Sequence, residues 1–467
     1  MSFGLTYKGK SIGVWLSAAA ILACLILSWV FAQERVLNTD NSAFFFNLVN
    51  TEQVSVAEKR YSAELPQYPA YVAIKLGASL NTILHIFSIS YTLLYLVIFG
   101  LILFLCKHQE AAIALALSLL LGVFHSFYHL VTETHQAIAW TLLCYAFLGS
   151  NLKPLLKSIG IVFSFLLALF AHPAAVFMLA FVLVWEVVSK QNFKSWWHYV
   201  AFIGLVVFAV LRSKMNAGNY DATQYENLFK SLGNLQQFFQ WNSVGFITDR
   251  PVLYAWPLLI WLAALLALAI GQQWLKLALL LFGPLAILII AAATFSNGDS
   301  QMMMEKAYMP AWTMIAIGSS FLFVSEGSLG LAASLFLVLF FAAALIHINM
   351  AGNKQFKPRL QAMDKVIEAF KASKQQKFWC LEPTAPGVWR SNWWATANDM
   401  LVRSTITTGK SLTLYLALPE EHLAHAKDSH AFLYTNWWRD RDIQILNKRF
   451  FSFEPQAYDT INLNDYE

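Results

Sequence analysis

The chain has 467 residues, 58% of them hydrophobic and 13% charged, with a formal net charge of +5 and a mean hydropathy of +0.52. That balance is too apolar for an ordinary soluble chain and reads as a multi-spanning membrane protein. The small, scattered charge offers no basic stripe and argues against a nucleic-acid partner; Cys24, Cys106, Cys144 and Cys380 stand too far apart for a disulfide framework or a metal knuckle.

An apolar run over residues 12–31 follows Lys8 and Lys10. It is longer than the roughly 7–15 residues of a signal-peptide core and is read as a retained first helix. The polar loop 33–82 comes next and carries Asp40 soon after that helix. A carboxylate held there can act as a base at the boundary of water and lipid. Asp is also a favoured N-cap for a short helix over 41–49, and the two roles are compatible. Residues 60–77, opening on Arg60, carry apolar positions at helical spacing behind Pro66 and Pro69, which predicts an amphipathic helix along the bilayer surface.

Further apolar runs cover 83–106, 111–131, 136–149, 159–188, 197–211, 252–270, 275–295, 311–324 and 329–350. A spanning helix needs about 20 residues, so 159–188 fits either one kinked crossing or two short helices folded at His172-Pro173. Lys153 and Lys157 before it and Lys190 and Lys194 after it favour the hairpin, which puts all four on the inner side. The count is about eleven crossings, with the N-terminus inside. Parity then places outside the loop 33–82, the turn at 132–135, His172, 212–250, 296–309 and everything beyond 350. Residues 1–350 are expected to form the transmembrane domain. Residues 351–467 mix helical pieces (359–372, 395–403) with strand-like runs (377–381, 411–418, 431–434) in soluble proportions. The fold class is therefore an α-helical polytopic membrane protein with a small C-terminal α/β domain on the extracytoplasmic side.

His125, His129 and Glu133 recur every four residues and share one face if the third helix runs that far, with His135 in the adjoining turn. Imidazole and carboxylate at that spacing suit zinc or another divalent ion; packing at the membrane interface, beside Phe127 and Tyr128, is the simpler role. These residues and His172 lie at the level of Asp40 and are expected to line one cavity with it. Arg250, in Thr248-Asp-Arg-Pro, and Lys306, in Glu305-Lys-Ala-Tyr-Met-Pro with Tyr308, stand just above the lipid tails, and Arg60 lies in the first loop. Cations at that depth suit a lipid-linked phosphate, although any one of them could be only a snorkelling anchor. The tryptophan pairs Trp196-Trp197, Trp393-Trp394 and Trp437-Trp438 are read as interface anchors before sugar-stacking platforms.

This layout resembles the GT-C superfamily of membrane glycosyltransferases. The shared features are an inside N-terminus, a large first outer loop with an acidic residue soon after the first helix, surface helices in that loop, about eleven crossings and an outer C-terminal domain. In the protein mannosyltransferase and aminoarabinose transferase branches the acidic residue sits in an Asp-Glu or similar pair; here Asp40-Asn41 matches the first position only. Relatives also hold the carrier phosphate with an outer cation near a late helix, and the segment from Glu305 to Pro310 is similar to that feature. The resemblance implies an inverting enzyme, multi-pass in the bacterial inner membrane with its site facing outward, that moves a sugar from a polyprenyl-phosphate carrier to a glycan, lipid or protein acceptor. Asp40 would be the base, and Lys306, Arg250 and Arg60 would hold the donor phosphate. Carboxylate-only and metal-assisted members share the architecture, so the resemblance implies no cofactor, and a divalent ion on His125, His129 and Glu133 is an expectation from their spacing alone. A transporter or flippase for a lipid-linked substrate is the rival from another class, with less use for a large first loop and a folded tail. A polysaccharide polymerase or ligase is the second enzyme reading, and would more often carry its large loop late in the chain.

Overall fold

A computed structural model describes residues 6–7, 10–56, 59–190, 196–215, 220–298, 300–324, 327–390, 392–418, 426–433 and 441–466. Lys8, Lys194 and Trp437-Trp438 lie outside the described residues. Helices dominate. Six of them are long and apolar enough to cross a membrane: Ile12–Val30, Leu80–Leu105, Pro154–Ala171, Leu253–Ile270, Trp274–Thr294 and the start of Gly330–Phe370. Large apolar side chains stand exposed along them, such as Ile26 at 64% and Phe104 at 63%, as a surface solvated by lipid requires. The remaining runs form helices that are shorter or open on polar residues, among them Gln109–Ser118, Glu133–Gly149, Ala175–Lys190 and Gln301–Ser319.

Two segments differ from the expected continuous helices. The 111–131 run is helical only to Ser118, then turns through Gly122, whose φ of 67° is left-handed, into a short 3-10 turn at Ser126–Tyr128. A side chain at Gly122 would meet the Trp312 indole Nε1 at 2.9 Å, so glycine is needed for both the conformation and the space. His125, His129 and Glu133 therefore do not share a helix face. The 159–188 run breaks into Pro154–Ala171 and Ala175–Lys190, where His172 Nδ1 accepts the Ala174 N–H at 3.2 Å within the turn.

The C-terminal residues build a small α/β layer. Its three-stranded sheet has Lys377–Leu381 in the middle, parallel to Thr413–Ala417 on one side and to Asp459–Thr460 on the other. Parallel neighbours need a crossover, and the helix Thr396–Thr408 provides the first, closing on Gly409 at φ 72°. Of the expected 431–434 strand, Ala431–Phe432 pairs antiparallel with Arg441–Asp442, and Tyr434 lies outside the described residues. The layer does not stand apart as a separate domain would. Phe45, Phe46 and Ile74 of the first loop share one apolar core with Met363, Trp389, Leu401 and Phe432.

Polar bonds fix the same contact. Asn447 donates its backbone N–H to Asn50 Oδ1 (2.8 Å) and its amide to the Val49 carbonyl (3.0 Å). Arg449 donates to the Ile74 (2.7 Å) and Ala78 (2.9 Å) carbonyls, satisfying the end of the helix Tyr68–Lys75. The expected surface helix over 60–77 is thus a 3-10 turn, Tyr61–Gln67, followed by that helix, with Tyr68, Val72 and Leu76 exposed. First loop and C-terminal layer consequently occupy one side of the helical body. All four cysteines are free and buried.

Candidate functional site

The site begins at the end of the first span, where the short helix Ala32–Val36 carries Arg35 into the interior. Arg35 donates to the carbonyls of Phe127 (3.1 Å) and Ser88 (3.0 Å) and stacks 4.3 Å over the Phe127 ring. Asn41 then ties the first loop to the same turn. Its amide donates to the carbonyls of Arg35 (2.6 Å) and Tyr128 (2.8 Å), and its Oδ1 accepts the Val131 N–H (3.1 Å). From the opposite side the buried Glu305 carboxylate accepts the backbone N–H groups of Phe124 (2.9 Å), His125 (3.2 Å) and Ser126 (2.8 Å), and the Ser126 hydroxyl (2.7 Å). A carboxylate is acceptor-only, so these donors fill it, and the turn that carries His129 is clamped between two elements distant in sequence.

Asp40 lies in the first turn of the helix Thr39–Thr51, whose N-cap is Asn38. The expected capping role is not what the side chain does. Its Oδ2 faces His129 Nε2 at 3.2 Å instead, and the positive end of the helix favours its charge. Thr39, just before it, has φ 52°, a conformation that costs a β-branched residue about 1–3 kcal/mol, and strain of that kind gathers at functional positions.

The Asp40 side chain is 51% exposed and that of His129 only 3%. Burial by surrounding protein pushes the Asp40 carboxyl up, but the His129 hydrogen bond and the charges of His129, Lys306 and Arg60 together hold it below its usual value. Lys306 lies near enough for its charge to act on Asp40. Burial lowers its affinity for the proton, while Asp40 and Glu133 act to retain it. Its ammonium makes no hydrogen bond or ion pair with any described residue. Arg60 Nη1 instead pairs with Glu133 Oε1 at 3.2 Å, both side chains nearly buried.

The structure thus brings together Asp40, His129, Glu133, Arg60 and Lys306. His135 lines a cavity with Arg35, Tyr91, Tyr95 and His129 that leaves about 40 Å³ for water-sized occupants. Other expected members fall elsewhere. His125 packs edge-on against Phe356 at 5.9 Å, and its charged neighbours are Glu305 and Arg250. Arg250 lies 4.4 Å over Phe246. The buried Tyr308 hydroxyl donates to the Ser243 carbonyl at 2.6 Å, fixing the helix Asn242–Thr248, and His172 serves its own turn.

The metal expectation also fails on geometry. Among the described residues no three His, Cys, Asp or Glu side chains are placed to hold one metal ion. His129 is committed to Asp40 and Glu133 to Arg60, so the donor set does not fit a divalent ion. The residues that sequence reasoning passed over are Asn41, Glu305, Arg35 and Thr132. The available signal was their polarity: an Asn directly after the candidate base, and a Glu set among methionines, each need a partner when buried.

No family model, no curated protein and no solved structure matches the chain.

Proposed function

We propose that this protein is an inverting glycosyltransferase that moves a sugar from a polyprenyl-phosphate carrier to an acceptor hydroxyl on the outer side of the membrane. The observation that carries the reading is the proximity of a half-exposed ionised carboxylate, Asp40, to an ammonium, Lys306, that makes no hydrogen bond or ion pair with any described residue. Asp40 takes the proton from the acceptor, the freed oxygen attacks the anomeric carbon, and the carrier phosphate leaves beside Lys306. Positioned base and fixed cation act on the two charges that develop in that step. Arg60 is a secondary cation, since Glu133 already holds it. The about eleven crossings, the outward orientation and the placement of the C-terminal layer outside belong to the same reading. The shared core of the layer and the first loop supports a common side for both.

Two outcomes are expected here. Lys306→Ala should weaken binding of a polyprenyl-phosphate sugar by about 10–100-fold, the loss of a charged hydrogen bond worth roughly 1.5–3 kcal/mol. Donor affinity measured by titration in detergent checks this, and an unchanged affinity removes Lys306 from the donor site. For orientation, Lys374 is exposed beside the central strand while the native cysteines are all buried. Lys374→Cys should react with a membrane-impermeant maleimide on intact cells. Labelling only after permeabilisation would reverse the assigned orientation.

A further inference from the structure

The hydrogen bonds around His129 determine where its protons sit. Nδ1 lies 2.9 Å from Thr132 Oγ1, and that hydroxyl donates its single proton to the His129 carbonyl at 2.6 Å. Only lone pairs of Oγ1 remain for the ring, so Nδ1 carries a proton and donates it. Nε2 then faces Asp40 Oδ2 at 3.2 Å. A neutral imidazole of that tautomer would set its lone pair against a carboxylate lone pair. One proton between the two atoms removes the conflict.

We propose that Asp40 and His129 share one proton at rest and act as a unit, with His129 holding Oδ2 so that Oδ1 alone receives the proton of the acceptor. The proposal rests on the transferase reading and adds a positioning residue to it. His129 is itself held: its ring is almost fully buried, Thr132 fixes its rotation, and the turn is clamped by Asn41 and Glu305. Lys306 and Glu133 are its other charged neighbours, the first repelling a proton on the ring and the second attracting one, with burial the larger influence against it and Asp40 the partner that retains it.

In the transfer step the acceptor O–H bond breaks and its proton passes to Asp40 Oδ1. The acceptor oxygen bonds to the anomeric carbon, and the bond from that carbon to the phosphate oxygen breaks, leaving its electron pair on the phosphate. The Asp40–His129 unit gains one positive charge as the phosphate gains one negative charge. The two changes cancel within the one charged cluster, so its net charge is preserved.

The test uses the full chain in lipid nanodiscs, labelled with ¹⁵N-histidine, with the His129 signals assigned by their loss in His129→Gln. At neutral pH wild-type Nε2 should show a proton-bearing or strongly hydrogen-bonded resonance. In Asp40→Asn, whose amide donates to the ring, Nε2 should become an unprotonated acceptor. An Nε2 signal that is identical in the two proteins overturns the proposal. Kinetics with a polyprenyl-phosphate hexose supply the second arm. His129→Gln keeps an N–H near the Nε2 position and should stay within about tenfold of wild type, while His129→Leu should lose about 10²-fold in kcat with donor KM unchanged. Equal losses in both variants would reduce His129 to a packing role and overturn the proposal. If the wild type transfers no sugar at all, the transferase reading fails, and the nitrogen spectra still decide whether the proton is shared.

Discussion

Asp40→Asn should lower single-turnover transfer by about 10²–10⁴-fold while leaving the protein folded and able to bind its lipid donor. The amide cannot take a proton, so the chemical step loses its base. Stability should hardly change, because half of the side chain already meets solvent and such substitutions usually fall within about ±0.5 kcal/mol. The amide can still donate to His129 Nε2, so the clamped turn keeps its partner. Donor binding should persist because Lys306 is untouched. Lys306→Ala has the opposite signature, with affinity falling before chemistry. Near-normal transfer by Asp40→Asn would return Asp40 to a structural role and move the base to Glu133 or to Glu34 on the helix Ala32–Val36, or end the enzyme reading.

The second large effect concerns the joint between the C-terminal layer and the first loop. Arg359, buried on the helix Lys357–Phe370, donates to Asp399 Oδ2 at 2.5 Å, to the Leu37 carbonyl at 3.2 Å and to Thr396 Oγ1 at 3.1 Å. Asp399 is fully buried, and burial pushes its carboxyl up while Arg359 pulls it down. Removing one member leaves an unpaired buried charge, a loss of about 3–5 kcal/mol, whereas replacing both with apolar residues of similar volume is often close to neutral. Arg359→Ala should therefore destabilise the layer strongly, and the pair of changes Arg359→Met with Asp399→Leu should recover most of the loss. Thermal unfolding of the purified variants in detergent checks this. Arg359 also holds Leu37, three residues before Asp40, so the single variant should reduce transfer as well. A single variant as stable as wild type would show that the buried pair does not hold the joint.

Much of the bundle was legible because its signal is local. The first run ends at Phe31 and the first helix at Val30, since an uninterrupted apolar stretch admits only a helix when lipid is the solvent. Lys153, Lys157 and Lys190 also pointed to the break at His172; two of them now bind the carbonyls at the end of Glu133–Gly149. The failure at 111–131 has a different cause. Apolar content continued through Val131, but Glu305, 179 residues beyond Ser126, draws three consecutive N–H groups out of helical pairing. No window of sequence contains that bond. Asp40 was singled out by its place after the first helix and Lys306 by its expected level above the lipid tails, and the fold sets the two near enough for their charges to interact. His129 was expected beside Asp40, but on a helix face with His125 and Glu133; there is no such face, Glu133 stays near His129, and His125 packs elsewhere. Arg60 was expected to help hold the donor phosphate, and its pairing with Glu133 was not legible because it depends on the fold.

The most direct test of the central claim supplies purified wild-type protein in nanodiscs with a series of polyprenyl-phosphate sugars and hydroxyl acceptors, and follows the anomeric carbon by NMR. The account predicts release of the polyprenyl phosphate, a new glycosidic bond of inverted configuration, and loss of both in Asp40→Asn. Passage of the intact lipid-linked sugar across a sealed membrane, with the bond to phosphate unbroken in wild type and Asp40→Asn alike, would contradict it.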